Sequence, residues 1–387
     1  MSGLKQSLRG KIPPFIVMEV MRAAALREYE DKAVYHLEVG QPGTGAPRGV
    51  ITAAKEALDS NRIGYTVALG VPELREAIAK HYSTVYGVEV PADNVVATTG
   101  SSAGFLLSFL ACFDPGDRVA LAAPGYPCYR HILNVLGVEP VSLETGPAER
   151  YQPTPALLEK ALQDGPIHGL IVASPSNPSG TMLGDEEMKA LADFCRDHGI
   201  RIISDEIYQG ISYGKPTRSM LSFEPECLVI NSFSKYFSMT GWRLGWMVVP
   251  DGLMRSVESL AQNLFISPPT LSQVAAVAAF DCEEELQANV ANYARSREML
   301  LNELPGMGFD RLAPSDGAFY VYADVANLTN DSQTFCRRIL NETGVAVTPG
   351  LDFDSGRGHH TMRFSFAGSP DEIHGAIKAL KGWHGLR

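Results

Sequence analysis

The chain contains little cysteine, no long apolar run and no excess of positive charge. Its 387 residues include six cysteines, none in a C-x-x-C pair, which disfavours a disulfide framework or a zinc site and favours reduced thiols. The N-terminus lacks an apolar signal core, and no run approaches the roughly 18 apolar residues of a membrane helix. The formal net charge of −11 argues against nucleic acid or an anionic membrane as the main partner. We therefore expect a soluble cytoplasmic protein.

The middle of the chain alternates short apolar segments with helical ones. Strands are predicted over 94–98, 118–122, 169–173, 200–204, 227–231 and 244–249, and helices over 49–60, 72–82 and 103–112. This order is typical of a mainly parallel sheet covered on both faces. We predict an α/β fold, with a large domain over 46–285 built around a seven-stranded, mainly parallel sheet between helices, of which the pattern locates these six strands.

The predicted order of helices and strands changes after about residue 285. A strand with period two is predicted over 317–322, and helices then alternate with short strands to the C-terminus. This is an α+β pattern. It predicts a smaller domain over 286–387, to which an N-terminal arm over 1–45 contributes.

Polar residues follow the predicted strands at the point where each strand ends. Asn177, Asp205 and Lys235 are 28 and 30 residues apart, about one strand–helix unit each. In open α/β sheets, ligands bind at the carboxyl edge of the strands. Three neighbouring units can therefore bring these three side chains to one place.

Lys235 lies among apolar residues in a serine-rich turn. A free ammonium is costly to bury, whereas a lysine bonded to an aldehyde as an imine no longer needs that charge in the same way. The nearby hydroxyls and Arg243 suit a phosphate dianion. One cofactor carries both an aldehyde and a phosphate, namely pyridoxal 5'-phosphate. A lone lysine is more often a surface residue, so the other polar residues at the strand ends must decide between a surface lysine and one that binds this cofactor.

A second phosphate contact is predicted where strand 94–98 meets a helix. Gly100, Ser101 and Ser102 are small, and a helix N-terminus supplies free N–H groups and partial positive charge. A Gly/Ser turn with a serine N-cap is an equally common explanation of such a segment. Ser232 and Ser234 add hydroxyls from the turn of Lys235.

The remaining positions suit the other parts of this cofactor and an amino acid. Asp205 can hold the pyridine nitrogen protonated, although a helix N-cap is its simpler role. Tyr208 and Asn177 can donate to the ring 3-oxygen, and Tyr126 can lie on the ring face. Arg363, on a strand among apolar residues, is the best available partner for a substrate α-carboxylate.

At this point the residues resemble a known family. The stretch from Ser232 to Gly245 (SFSKYFSMTGWRLG) is similar to the lysine signature of the class I and II aminotransferases, which are fold type I pyridoxal-phosphate enzymes. The resemblance spans about residues 12 to 380. Further landmarks in the family's order are Gly40-Gln41-Pro42, Tyr65, Pro124-Gly125-Tyr126-Pro127, Asn177-Pro178, Asp205-Glu206-Ile207-Tyr208 and Arg363.

The resemblance implies a role for each matching residue. Lys235 forms the internal imine and shuttles the Cα proton, and Arg363 and Asn177 hold the substrate carboxylate near the Gly40 backbone. Tyr65 reaches the phosphate of the other subunit, which implies a homodimer with shared active sites. The other implied cofactor contacts are Asp205 to the pyridine nitrogen, Asn177 and Tyr208 to the 3-oxygen, Tyr126 to the ring, and Ser101, Ser102, Ser232, Ser234 and Arg243 to the phosphate.

We therefore predict a pyridoxal-phosphate-dependent aminotransferase that moves an amino group between an L-amino acid and a 2-oxo acid by a ping-pong mechanism. Ser102 stands where some bacterial aspartate aminotransferases of the family carry a lysine, which argues against a dicarboxylic donor. The alternative is a carbon–sulfur β-lyase on the same cofactor, because it would labilise the same proton. No bound metal is expected.

Overall fold

The computed structural model describes residues 4–61 and 63–386. Among those residues, none of the helices is long and apolar enough to span a membrane. The helices are α1 Ile16–Tyr29, α2 Arg48–Asp59, α3 Pro72–His81, α4 Gly100–Cys112, α5 Pro127–Leu136, α6 Pro155–Leu162, α7 Asp185–Asp197, α8 Asp251–Leu264, α9 Thr270–Val277, α10 Glu283–Glu303, α11 Ser332–Thr343 and α12 Pro370–Lys381. The strands are β1 Tyr35–His36, β2 Val95–Thr98, β3 Arg118–Ala123, β4 Glu139–Glu144, β5 Gly169–Ala173, β6 Arg201–Asp205, β7 Leu228–Ser232, β8 Gly245–Val248, β9 Arg311–Leu312, β10 Tyr320–Asp324, β11 Val345–Ala346, β12 Thr348–Pro349 and β13 Thr361–Ser365.

A seven-stranded sheet forms the centre of the fold, in the order β2-β8-β7-β6-β5-β3-β4. The neighbours from β7 through β6, β5 and β3 to β4 are parallel, whereas β8 runs antiparallel to both β2 and β7. The predicted seven-stranded, mainly parallel sheet is therefore confirmed. Because β5, β6 and β7 are adjacent and parallel, their carboxyl ends meet at one edge.

Helices cover both faces of this sheet. Along β5, Leu170 and Val172 pack into one apolar cluster, while Ile171 packs into a second cluster on the other face. Successive strand side chains point to opposite faces, so a strand that is apolar at every position must be buried on both sides. This explains the short, uninterrupted apolar runs of the sequence.

Three local predictions need correction. The edge strand β4 was not predicted, because it contains Pro140 and half of its residues are exposed, so it lacks the apolar run of the central strands. Helix α4 begins at Gly100 rather than at residue 103, so its first turn contains the Gly/Ser segment. Strand β10 begins at Tyr320 rather than at 317. Ala318 has a φ of +55°, which lies outside the extended region of a strand. Gly317 packs closely on Pro175, since a Cβ at this position would lie 2.5 Å from Pro175 Cγ.

The C-terminal part forms a separate antiparallel sheet in the order β12-β13-β10-β9. Its core contains Phe319, Val321 and Phe364 and is distinct from the two clusters of the large sheet. The N-terminal segment joins this part, because β1 pairs in parallel with β11. Helix α1 is fixed at its start, where Asp352 accepts hydrogen bonds from the backbone N–H groups of Ile16 and Val17 at 2.9 and 3.1 Å.

Candidate active site

A cavity of about 190 Å³ lies at the carboxyl ends of the parallel strands, where the large sheet meets the C-terminal part. For comparison, a cavity of roughly 150 Å³ admits a benzene ring. Most of the residues that the sequence predicted for the site line this cavity. They are Gly40, Ser101, Ser102, Tyr126, Asn177, Asp205, Tyr208, Ser234, Lys235, Arg243 and Arg363.

Lys235 lies in the turn after β7, and its ammonium group is buried in the cavity. Its Nζ donates to the carbonyl oxygen of Gly40 at 2.6 Å, which fixes the direction of the side chain. Burial, followed by the positive charges of Arg363 and Arg243, lowers the pKa of Lys235 from 10.5 to about 8. Near pH 8 the amine is therefore half neutral, as a nucleophile or a proton acceptor must be.

Asp205 ends β6 and is buried in the cavity wall. Its Oδ1 accepts from the backbone N–H of Ile207 at 3.0 Å, and its Oδ2 accepts a short hydrogen bond from the Tyr129 phenol. Burial raises the pKa of Asp205 to about 6, against the hydrogen bonds of Tyr129 and Ile207 and the charge of Lys235, which lower it. The carboxylate is therefore mostly ionised at neutral pH.

Tyr129 was missed by the sequence reasoning. It belongs to the first turn of α5, three residues after Tyr126, and residues so spaced share a helix face. The spacing from Tyr126 was therefore a usable signal. The partner of its phenol was not visible, because Tyr129 and Asp205 are 76 residues apart.

Tyr320 was also missed, although it lines the cavity. Its hydroxyl lies 2.6 Å from that of Tyr208, and the guanidinium carbon of Arg363 lies 4.3 Å from the centre of its ring. A Cβ on Gly40 would lie 1.8 Å from the Tyr320 hydroxyl, so this position requires glycine. Tyr320 thus connects three residues that were predicted separately.

Arg363 lies on β13 and is buried. Its Nη1 donates to Asn177 Oδ1 at 2.8 Å and its Nη2 donates to the Glu38 carbonyl oxygen, while its guanidinium is enclosed by the rings of Tyr320 and Phe353. Among the described residues, the Arg363 Nε has no hydrogen-bond partner. A guanidinium held in one orientation with a free donor suits a carboxylate ligand.

The start of helix α4 forms a candidate anion-binding cradle in the cavity wall. Within the described structure, no side chain caps the first N–H groups of this helix at Thr99. Ser101, in that first turn, and Ser234 both line the cavity. A Cβ on Gly100 would lie 2.5 Å from Arg243 Nη2, so the guanidinium lies directly against the helix start. These groups could hold a phosphate.

Two predicted residues do not line the cavity. The Ser232 hydroxyl donates to the carbonyl oxygen of Leu244 and lies 2.8 Å from Ser234 Oγ, so it stands behind Ser234. From this place Ser232 can orient Ser234, but it would not itself contact a phosphate in the cavity. Tyr65 is 85% exposed on the loop after α2.

The outer wall of the cavity is apolar. Helix α1 contributes Val17, Met18 and Met21 to it, with Phe15 just before the helix, and the ring of Phe15 lies 5.9 Å from that of Tyr126. Among the described residues, the cationic side chains that line the cavity are Lys235, Arg243 and Arg363. The apolar wall thus has no cation of its own within the described chain.

Comparison with known families and proteins agrees with this geometry. Residues 32–380 match the model of the family described as aminotransferase class I and II. A valine–pyruvate aminotransferase of Mycobacterium tuberculosis is 51% identical over 97% of this chain and 98% of its own length. An aspartate aminotransferase of Pyrococcus horikoshii is 32% identical over 97% of this chain and 100% of its own.

Solved structures agree as well. An aminotransferase from Mycobacterium tuberculosis superposes with a TM-score of 0.96 at 51% identity, over 98% of this chain and 99% of that one. The aspartate aminotransferase of Thermus thermophilus with maleate gives 0.90 at 31% identity, over 98% and 99%. Nothing in these comparisons favours the β-lyase that the sequence left open.

Proposed function

The chain belongs to the class I and II aminotransferases and is itself an aminotransferase, and from that premise we propose that it moves the amino group of a neutral L-amino acid to a 2-oxo acid with pyridoxal 5'-phosphate. The observation that carries the proposal is the convergence of three groups on one cavity. These are the Lys235 amine, the Asp205 carboxylate and the Arg363 guanidinium.

The described residues fit this cofactor, which members of the family use. The start of α4, Ser234 and Arg243 would hold its phosphate, and the uncapped N–H groups there favour a dianion. Asp205 would pair with the ring nitrogen. Tyr126, Asn177 and Tyr208 would surround the ring. When bound, the cofactor supplies an aldehyde that exchanges with amino groups and a ring that accepts electron density, so that transfer proceeds in two half-reactions with ping-pong kinetics.

Lys235 would act twice, as the residue that binds the aldehyde and as the base that moves the substrate Cα proton. Both roles need a neutral amine, and the pKa of about 8 supplies one near neutral pH. The hydrogen bond to the Gly40 oxygen aims the Nζ across the cavity. The same amine would return the proton to the carbon that carried the cofactor aldehyde.

The substrate would lie between Arg363 and helix α1. Arg363 would bind the α-carboxylate through its unused donors, with Asn177 beside it. The side chain of the substrate would then contact the wall formed by Phe15, Met18 and Met21. A charged side chain would lose its hydration there without gaining a partner from the described residues of the same subunit. The name of the valine–pyruvate aminotransferase supports the same choice of donor.

The function is tested by a half-reaction panel with leucine, asparagine and aspartate, whose side chains have nearly the same shape. We expect leucine to react with a specificity constant at least about tenfold above that of aspartate, because burying an unpaired carboxylate costs several kcal/mol. Asparagine should fall between them. Conversion of the bound cofactor to its amine form is followed by absorbance, and valine is added because of the relative's name.

A matched variant separates the pocket wall from general effects. Met18→Lys places a cation on the wall and should raise the rate with aspartate while lowering that with leucine. Aspartate reacting as well as leucine in the unmodified enzyme would overturn the neutral-donor proposal. If none of the amino acids of the panel gives a half-reaction, the proposed function itself is overturned.

We also propose that the enzyme is a homodimer with shared active sites. Exposed apolar side chains lie on the loop after α2, on the segment before α9 and on α9 itself, and Gln273 Nε2 of α9 donates to Thr66 Oγ1 at 3.1 Å. A groove lined by Trp242, Arg243 and Leu271 opens beside the predicted phosphate position. Exposed apolar side chains gathered in this way are typical of a protein–protein interface. These side chains are Ile63, Tyr65, Val67, Ile266 and Val274.

Hybrid dimers test this arrangement. Lys235→Ala chains should be inactive, and Tyr65→Phe chains should bind the cofactor roughly tenfold or more weakly, because a hydrogen bond to a charged group is lost. In a two-fold dimer, one site of each hybrid would contain both intact residues. Equal mixing at low cofactor should therefore restore roughly a quarter of the unmodified activity. A monomer in sedimentation, or no recovery on mixing, would contradict shared sites.

A further inference from the structure

The Tyr129 phenol makes a contact that the proposed function does not use. Tyr129 is 4% exposed, and its ring is held between Phe105 and Tyr126, with centroids 5.0 and 5.3 Å away. Its hydroxyl donates to Asp205 Oδ2, and the backbone N–H of Ile207 donates to the other oxygen. The packing thus holds the phenol where its buried hydroxyl is paired with the carboxylate.

Asp205 is therefore held by one donor on each oxygen. The ionisable groups that face it are Lys235 from the turn after β7, Tyr126 and Tyr129 from the start of α5, and Glu206 next to it in the chain. A hydrogen bond to the ionised form of a carboxylate lowers its affinity for a proton. The phenol of Tyr129 thus opposes the effect of burial, which favours the protonated acid.

We propose that Tyr129 is a positioning residue that keeps Asp205 ionised and turns a free lone pair of the Asp205 carboxylate towards the ring nitrogen of the cofactor. This inference rests on the proposed function. The carboxylate and the nitrogen share one proton. While the phenol donates, the proton belongs to the nitrogen and the pair is charged. Without the phenol, the proton moves to the Asp205 carboxylate and the pair becomes neutral. A neutral ring is a weaker acceptor of electron density.

The test is Tyr129→Phe in the holoenzyme, because phenylalanine keeps the ring and removes only the oxygen. Nitrogen NMR of enzyme loaded with ¹⁵N-labelled cofactor reads the ring proton directly, and we expect the signal to move towards that of the unprotonated ring. The pH midpoint of the cofactor absorbance should rise by about 1 to 2 units, which corresponds to the loss of a hydrogen bond to a charged group. The kcat should fall roughly 10- to 100-fold with KM nearly unchanged.

Two control variants separate this effect from damage to the core. Tyr82→Phe removes another buried phenol, which accepts from Trp246 Nε1 at 3.2 Å and packs on the other face of the sheet. It should leave the nitrogen signal and the absorbance midpoint unchanged. If Tyr129→Phe does not fold, 3,5-difluorotyrosine at position 129 replaces it. That more acidic phenol is a stronger donor and should shift the midpoint downward.

A third variant distinguishes failure of this inference from failure of the proposed function. Asp205→Asn should leave the ring nitrogen unprotonated. If it does so while Tyr129→Phe keeps the nitrogen protonated, the role of Tyr129 is overturned and that of Asp205 stands. If Asp205→Asn keeps the nitrogen protonated, the assignment of Asp205 fails, and the role of Tyr129 fails with it.

Discussion

Lys235→Ala is expected to lower turnover by roughly 10⁴-fold or more, because one residue supplies both the nucleophile and the proton carrier. General acid–base catalysis alone contributes roughly 10²- to 10⁴-fold. The half-reaction with leucine, followed by cofactor absorbance in a single turnover, measures the loss. Removal of the amine leaves the phosphate cradle and the Arg363 contact intact, so the cofactor and substrate should still bind.

Two further measurements make the Lys235 result specific. Small primary amines such as ethylamine should restore part of the lost rate, and the recovered rate should follow the fraction of added amine that is neutral. Lys189→Ala, at a lysine whose side chain is 67% exposed on α7, should leave turnover unchanged. A Lys235→Ala enzyme that keeps turnover within tenfold of the unmodified one would refute the proposed role.

Arg363→Lys is expected to lower kcat/KM for leucine by roughly 30- to 5,000-fold. Loss of one partner in a buried, hydrogen-bonded charge pair costs about 2 to 5 kcal/mol, and each 1.36 kcal/mol is a factor of ten. Lysine keeps the positive charge but loses the planar fork that binds a carboxylate and that lies between two aromatic rings. The loss should appear mainly as a higher KM, with kcat little changed, because the α-carboxylate is bound in the ground state and the transition state alike.

A substrate without the carboxylate shows whether Arg363 acts through that group. The unmodified enzyme should prefer leucine strongly over 3-methylbutylamine, and the Arg363→Lys enzyme should have lost most of that preference. Arg311→Lys, at an exposed arginine of the same sheet, serves as the matched control and should change neither rate. If Arg363→Lys lowers the rates with leucine and the amine equally, the residue supports the fold rather than the carboxylate.

The parallel sheet could be predicted because its signal is local. Each central strand is a short apolar run, and the run itself reports burial on both faces. The edge strand β4 escaped because half of its residues are exposed and one is proline, which is normal at an edge. The start of α4 was misplaced for a related reason. Glycine and serine disfavour a helix interior, but the first turn there is held by the tertiary structure.

Parts of the candidate site could be predicted by the same rule. Asn177 and Lys235 follow strands and Asp205 ends one, so strand order alone brings them to one edge. Ser232 ends a strand too, but its hydroxyl turns towards Leu244 and Ser234, and only the packed turn determines that direction. Position along a sequence therefore predicts which edge a residue occupies and does not predict where its side chain points.

The sequence by itself determined the sheet, the lysine turn and the family, because these depend on residues close together in the chain. The tertiary structure decided the contacts that set the chemistry. Lys235 acquires its lowered pKa from burial and from Arg363, which lies 128 residues further along the chain. Asp205 meets Tyr129, and Tyr208 meets Tyr320, across similar gaps. Proton affinity depends on distance in space and on exclusion of water, and neither quantity exists until the chain has folded.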